Sequence, residues 1–252
     1  MTVFHVVIPA RFASSRYPGK PLAMLNGRPM IDWVIQAAVR AGADSVAVAT
    51  DDERIADSCR RSGADVQMTS ATHLSGTDRV AEVARVRGWR DDQIVVNLQG
   101  DAPCTPPESI RQVAALLDAD PSASMSTLCV PLIETADFID PNVVKVVADR
   151  EGRALYFSRS PIPAPGHGSD ELPELARRHL GIYAYRVGVL AELTATPACY
   201  LEQVEKLEQL RALWLGMRIQ VADAGEMHGP DVDTPEDLDR AAAFLAGSQR
   251  GS

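Results

Sequence analysis

Lysine is nearly missing from this chain of 252 residues: of its 25 cationic residues only three are lysine and the other 22 are arginine. A GC-rich coding bias accounts for the skew, and against it each retained lysine stands out, Lys20 first. Cysteine is scarce as well. The four thiols, at 59, 104, 129 and 199, are scattered and form no CxxC pair, which argues against a metal ribbon or a disulfide scaffold and for reduced, partly buried thiols. No apolar run approaches the ~20 residues that span a bilayer, so no membrane insertion is expected. The N-terminus has no basic segment leading into a signal-like apolar stretch, because its first apolar run ends at Pro9. A cytoplasmic location is the expectation. Positive charge is in deficit, with a formal net charge of −9, which excludes a broad nucleic-acid-binding surface. Any anion site must be a local concentration of cations. Neither GxxxxGK[ST] nor GxGxxG occurs, and no internal repeat is visible.

What the sequence does have is alternation. FHVVIPA reads as a buried strand, MIDWVIQAAVRAG as an amphipathic helix ending near Gly42, and SVAVAT as the next strand. A helix from Asp52 to about Ser62, the short strand DVQMT, the helix GTDRVAEVARVRG, the strand QIVVNLQGD and the helix ESIRQVAALLD follow. With 46% apolar residues the chain can bury a large core, and repeated strand-helix units of this length imply an α/β fold with helices on both faces of a doubly wound, mostly parallel sheet. After about residue 123 the pattern turns strand-rich: SMSTLCVPL, VVKVVAD, ALYFSR and, later, RIQVADAG, with GIYAYRVGVLAEL and LEQVEKLEQLRALWLG mixed in character. The stretch 161–176, rich in Pro, Gly and acid, reads as a mobile loop. TPEDLDRAAAFLAG closes as a helix capped by Thr234 or Asp233. Residues 1–252 are thus expected to form one domain, in which about 123–225 extends the sheet or builds a smaller lid-like subdomain.

Three polar motifs fall at strand ends, where open α/β sheets bind ligands. PARFASSRYPGK concentrates Arg11, Arg16 and Lys20 among small residues that let backbone N–H groups approach an anion. By spacing alone it is either a phosphate-binding loop or a solvated basic loop. In QGD, Asp101 is either a turn former or a ligand for Mg²⁺, a hard cation that takes carboxylates together with substrate phosphates. Asp233, in DVDTPED, is its candidate partner.

These motifs occur together with ATDDERIA, HLSGTDRVAE, NVVKVV, ALYFSRSPIP, RHLGIYAYR, LEQLRALW and VDTPEDL, in order over nearly the whole chain. The ordered set resembles the 3-deoxy-manno-octulosonate (Kdo) cytidylyltransferase family, with RHLGIY and LEQLR its most specific members. The resemblance implies a nucleotide-diphospho-sugar transferase type of fold with a strand-rich lid or dimerisation subdomain, and a Mg²⁺-dependent transfer of CMP from CTP to a sugar acid with release of pyrophosphate. It further implies a homodimer and a place in lipopolysaccharide biosynthesis. Carried over position by position, Arg11 and Lys20, with Ser14 or Ser15, hold the triphosphate. Pro9 and Ala10 meet the base through their backbone, with Ser75 and Arg79 nearby, and Asp101 and Asp233 hold the metal. Gln99, Arg159, His179, Tyr183, Glu208 and Gln209 line the sugar-acid pocket. Taken alone, Arg159 reads as a strand-end arginine, His179 as an exposed turn residue, Tyr183 as a core aromatic, and Glu208 and Gln209 as the wet side of a helix whose stripe is Leu201, Val204, Leu207, Leu210 and Trp214.

Joining an anionic acceptor to an anionic donor needs cations to offset repulsion and little covalent chemistry from the protein, so no general base is assigned. The sequence departs from the family's usual pattern in three places. Ala102 stands where QGDEP would put a carboxylate, Asp231 where a glycine is usual, and the 161–176 loop is short. These differences leave open an acceptor other than Kdo, such as a modified ulosonic acid or a phosphonate, or a catalytically idle nucleotide-binding homologue.

Overall fold

A computed structural model describes residues 2–13, 17–164, 166 and 172–248. Ser14, Ser15 and Arg16 therefore lie outside the described residues, as does part of the 161–176 loop. The first apolar run forms β1 (Phe4–Pro9), all six residues of which are buried, as a strand covered on both faces requires. A 3₁₀ turn (Lys20–Leu22) and a small hairpin, β2 (Met24–Leu25) and β3 (Arg28–Pro29), lead into α1 (Met30–Arg40). Asn26 and Gly27 in the hairpin turn both have positive φ, 48° and 85°, the backbone that an Asn-Gly pair favours.

Alternation then proceeds through β4 (Ser45–Thr50), α2 (Glu53–Arg61), β5 (Asp65–Met68), α3 (Gly76–Arg87), β6 (Ile94–Asn97) and α4 (Pro107–Ala119). Capping fixes where two of these helices start. Asp52 accepts from the Arg54 amide at the head of α2, and Ser75 and Asp78 form a reciprocal capping box on α3. The second half contributes β7 (Met125–Pro131), α5 (Thr135–Ile139), β8 (Lys145–Ala148), β9 (Ala154–Ser158) and β10 (Arg177–Arg186). It continues through α6 (Val187–Ala195), α7 (Tyr200–Glu205), α8 (Gln209–Trp214), β11 (Ile219–Asp223) and α9 (Pro235–Ser248).

The main sheet runs β11-β7-β10-β6-β1-β4-β5, with β8 paired to β10 and β9 to β8. Along the seven-strand path only β10 opposes the others, antiparallel to both β6 and β7; β11 is parallel to β7, and β1 to β4 and β6. The doubly wound, mostly parallel sheet is therefore present. Side-chain alternation along β1 divides the core. Val6 and Ile8 join Ile31, Ile55, Val113 and Leu117 from α1, α2 and α4 on one face. Val7 joins Val80 and Val83 of α3 and Leu190 of α6 on the other. No described helix is long and apolar enough to cross a membrane.

Two local features differ from the sequence expectation. LEQVEKLEQLRALW is two short helices, because Lys206 takes a left-handed conformation (φ 56°) that ends α7; Val204 and Trp214 are consequently exposed, while Leu207 and Leu210 are buried. The closing helix begins as expected, and its cap is Thr234, whose Oγ1 accepts from the Asp237 amide. The chain goes from β1 outwards to β4 and β5 and then returns to place β6 on the other side of β1. That reversal makes the carboxyl ends of β1 and β6 the topological switch point, where such sheets open a crevice.

Candidate active site

Two cavities open at this switch point and share a wall. The first, about 220 Å³, is lined by Pro9, Ala10 and Arg11 from the end of β1, Lys20 and Pro21 from the 3₁₀ turn, Ser75, Gly76 and Arg79 from α3, Gln99, Gly100 and Asp101 after β6, and Asp233. Gly100 is required by close approach: a Cβ there would lie 2.8 Å from the Pro9 carbonyl oxygen, to which its own amide donates at 3.3 Å. Gly19, which sets up the Lys20 turn, has φ 73°, and a Cβ would meet the Phe12 ring at 2.9 Å. The glycine of this loop is thus required by its fold.

Lys20 is the centre of this cavity. Its ammonium lies 2.5 Å from Asp101 Oδ2 and 3.0 Å from Asp233 Oδ1 and donates to the Val232 carbonyl at 3.0 Å. Burial by itself would depress this lysine, but Asp101 and then Asp233 outweigh it and raise its pKa. The two carboxylates come from segments 132 residues apart and are tied together by the Val232 amide donating to the Asp101 carbonyl at 2.8 Å. Oxygen donors converging on one positive charge are a donor set that suits a hard divalent cation completed by phosphate oxygens. Among the described residues no group of three or more His, Cys, Asp or Glu side chains is arranged to hold a metal. Arg11 sits exposed on the rim. Asp231, beside this cluster, keeps one side open to water; desolvation in its recess, then Asp101, raise its carboxyl to about 7 against the pull of Arg178 and Lys20.

Arg79 and Ser75 reach the cavity already engaged. The Arg79 guanidinium, 3% exposed, pairs with Asp51 at 2.9 Å and donates to Thr69 Oγ1 at 2.7 Å and to the Ser70 carbonyl at 3.2 Å. Ser75 Oγ accepts the Asp78 amide at 3.1 Å.

The second cavity, about 210 Å³, is walled by Ser75, Gly76 and Gln99 on the side of the first, and by Tyr183 and Tyr185 of β10, Asn97 of β6, and Glu208, Gln209 and Arg211 at the α7–α8 turn. Tyr183 is 7% exposed and its hydroxyl is buried without a hydrogen-bond partner among the described residues. Desolvation holds its pKa well above the usual phenol range. Glu208 is exposed towards the cavity and accepts from Thr77 Oγ1 at 2.7 Å; desolvation, with Asp78 and Glu202 behind it, raises its pKa. Arg211 and Glu202 form a paired contact, with Nε to Oε2 at 2.7 Å and Nη2 to Oε1 at 2.5 Å.

Of the expected sugar-acid residues, Gln99, Tyr183, Glu208 and Gln209 meet in this cavity, whereas His179 and Arg159 do not line it. His179 stands behind Tyr183, its ring 5.1 Å from those of Tyr183 and Phe157. Its Nε2 accepts the Gly181 amide at 3.3 Å and bonds Thr127 Oγ1 at 2.9 Å; burial drives its pKa down to about 3. Arg159 donates to the Glu205 carbonyl at 2.7 Å and to that of Pro141 at 2.9 Å. The strand end that carries Arg159 is pinned by Lys145, fully buried, which donates to the carbonyls of Asp140, Val143 and Arg159. Thr77, Asn97, Tyr185 and Arg211 were missed in the sequence. Thr77 lies inside SGTDR and Arg211 inside LEQLR, two of the motifs already singled out, but nothing in either pattern says which side chain turns inward.

Comparison with known proteins agrees with this geometry. A family model described as cytidylyltransferase matches residues 5–219. A 3-deoxy-manno-octulosonate cytidylyltransferase of Thioalkalivibrio sulfidiphilus is 51% identical over 246 residues, covering 96% of this chain and 98% of its own. One from Pseudomonas syringae pv. syringae is 51% identical over 250 residues, covering 97% and 98%. A solved structure of CMP:2-keto-3-deoxy-manno-octonic acid synthetase complexed with CTP superimposes with a TM-score of 0.90 at 40% identity, covering 98% of this chain and 99% of that one. With a switch-point crevice, a cation held between two carboxylates and relatives matched from end to end, the chain belongs to the cytidylyltransferase family.

Proposed function

We propose that this enzyme transfers CMP from CTP to the anomeric hydroxyl of Kdo, a 3-deoxy-ulosonic acid, and releases pyrophosphate. The observation that carries the reading is the pair of cavities divided only by Ser75, Gly76 and Gln99: one holds cations and paired carboxylates, and the other is polar and contains an orphaned phenol. A triphosphate seated in the first has its α-phosphate within reach of a hydroxyl presented from the second. Arg11 and Lys20 offset the charge of the triphosphate, Arg11 with a planar fork and Lys20 as a point charge. Pro9 and Ala10 offer backbone groups to the base beside Ser75 and Arg79. Asp101 and Asp233 would hold magnesium, which when bound would neutralise charge passing to the leaving pyrophosphate. Gln99, Tyr183, Glu208 and Gln209 orient the acid, and an acceptor oxygen that meets the Tyr183 hydroxyl removes an unmatched buried donor, a defect worth about 1–3 kcal/mol. Rate comes chiefly from this positioning.

The enzyme is further proposed to act in the cytoplasm as a homodimer, as a single domain whose 123–225 region serves as lid and dimer contact. Seven large apolar side chains between 133 and 214 support the dimer by their exposure: Ile133, Ile139, Leu155, Leu175, Tyr200, Val204 and Trp214.

The test is pyrophosphate release from CTP and Mg²⁺ with Kdo, beside a panel of other ulosonic acids and phosphonates. Kdo-dependent release that a chelator abolishes is expected. Turnover only with another acid would overturn the acceptor and keep the reaction, and none with any acid would overturn the reaction.

A further inference from the structure

Two side-chain hydrogen bonds lie along the wall of the acid cavity. Gln99 Nε2, at the partition between the cavities, donates to Asn97 Oδ1 at 3.1 Å. Asn97 and Tyr185 line the same cavity, and Thr77 Oγ1 donates to Glu208 Oε2 at 2.7 Å. The second bond joins the first turn of α3 to the residue that opens α8. Among the described residues it is Thr77 whose side-chain hydrogen bond crosses from the nucleotide-side helix to the α7–α8 turn.

That crossing matters because of what lies at each end. Glu208 follows a left-handed residue, Lys206, in a turn between two six-residue helices, and the Thr77 bond is what orients its carboxylate across the cavity. Asp78 and Glu202 oppose its charge, and Arg211 is already engaged by Glu202, so Thr77 is the side chain that holds it by a hydrogen bond. The first turn of α3 is held independently by the Ser75–Asp78 capping box. Thr77 is therefore not needed to start the helix, and its hydroxyl is available for Glu208.

We infer that Thr77 is a positioning residue that presents Glu208 to the hydroxyl groups of a polyhydroxylated acid acceptor, and so sets acceptor affinity without contributing to nucleotide binding. The inference rests on the reading of this cavity as the acceptor site. A carboxylate held in this way accepts hydrogen bonds from a polyol; a free one is not held across the cavity and leaves those hydroxyls unmatched.

The experiment measures KM for Kdo, kcat, and the Kd of CTP alone for the wild type, Thr77→Val, Thr77→Ser, Glu208→Gln and the Thr77→Val/Glu208→Gln double variant. A lost hydrogen bond of this partly exposed kind predicts that Thr77→Val raises KM for the acid roughly fivefold, while kcat and the CTP Kd stay within about twofold. Thr77→Ser, which keeps the hydroxyl, should restore KM. In the Glu208→Gln background Thr77→Val should cost much less than alone, because the two act through one contact. An unchanged KM in Thr77→Val overturns the inference, as do additive losses in the double variant. Weakened CTP binding in both Thr77 variants overturns it in favour of a helix-capping role. Wild-type enzyme that turns over no acid is a different failure, visible before any variant is made: it removes the acceptor reading itself, and this inference with it.

Discussion

His179 is a residue whose type invites a catalytic reading and whose surroundings give it another. Its ring is wedged between Phe157 and Tyr183, and its Nε2 receives the Gly181 amide at the irregularity where β10 breaks register with β7 between His179 and Tyr183. A neutral imidazole there shapes the bend that turns Tyr183 into the cavity. The folded pKa, about 3, lies below the unfolded value of about 6.5, so the unfolded chain binds more protons between these limits. Stability from this group is intact above 6.5 and lost as pH falls towards 3. Relative to His179→Gln, the wild type should lose about 2 kcal/mol between pH 7 and pH 5, measured as the difference between two urea titrations at each pH. A difference that does not change with pH would sink the argument. At this scale Lys20 and Asp101 stood out in the sequence as charged groups following strands, and the fold brings them together at 2.5 Å. Arg159 and His179 could not be placed, because which way a strand-end side chain turns depends on neighbours far away in sequence.

Among the elements, α7 and α8 show most clearly what fastens the second cavity. Arg211 on α8 grips Glu202 of α7 with two contacts and donates to the carbonyls of Leu193 and Thr196 at the end of α6, at 2.7 and 2.9 Å. One side chain therefore closes three helices around the cavity. Arg211→Met leaves Glu202, 8% exposed, as a buried charge without its partner, and should cost about 3 kcal/mol of stability along with a raised KM for the acid. Denaturant midpoints and acceptor kinetics would check this; a loss below about 1 kcal/mol would show the pair to be screened by solvent. Most elements were legible because each pattern had one structural solution: the apolar run that forms β1, buried throughout, and the amphipathic period of 3.6 in α1. The α7–α8 split was not. The apolar spacing of LEQVEKLEQLRALW continues through Lys206, and only the left-handed backbone there, held in the folded chain, breaks it.

For the whole molecule, the exposed apolar residues of the strand-rich half argue that water is not their final neighbour. Sedimentation should give twice the chain mass of 27.2 kDa. Replacing Leu155 on β9 and Tyr200 on α7, which are 61% and 71% exposed, by aspartate should shift the protein to monomer. A wild type that sediments as monomer would remove the dimer. The sequence by itself determined the alternation of strands and helices, the strand-end motifs and the family, because these are local patterns or ordered sets of them. The order of the sheet was decided only in three dimensions. β10 enters between β6 and β7 against the direction of both, and so carries Tyr183 and Tyr185 beside Asn97. The return of the chain to β6 brings Asp101 to Asp233 and sets both against Lys20. Such meetings depend on long-range packing of faces, which no window of sequence contains.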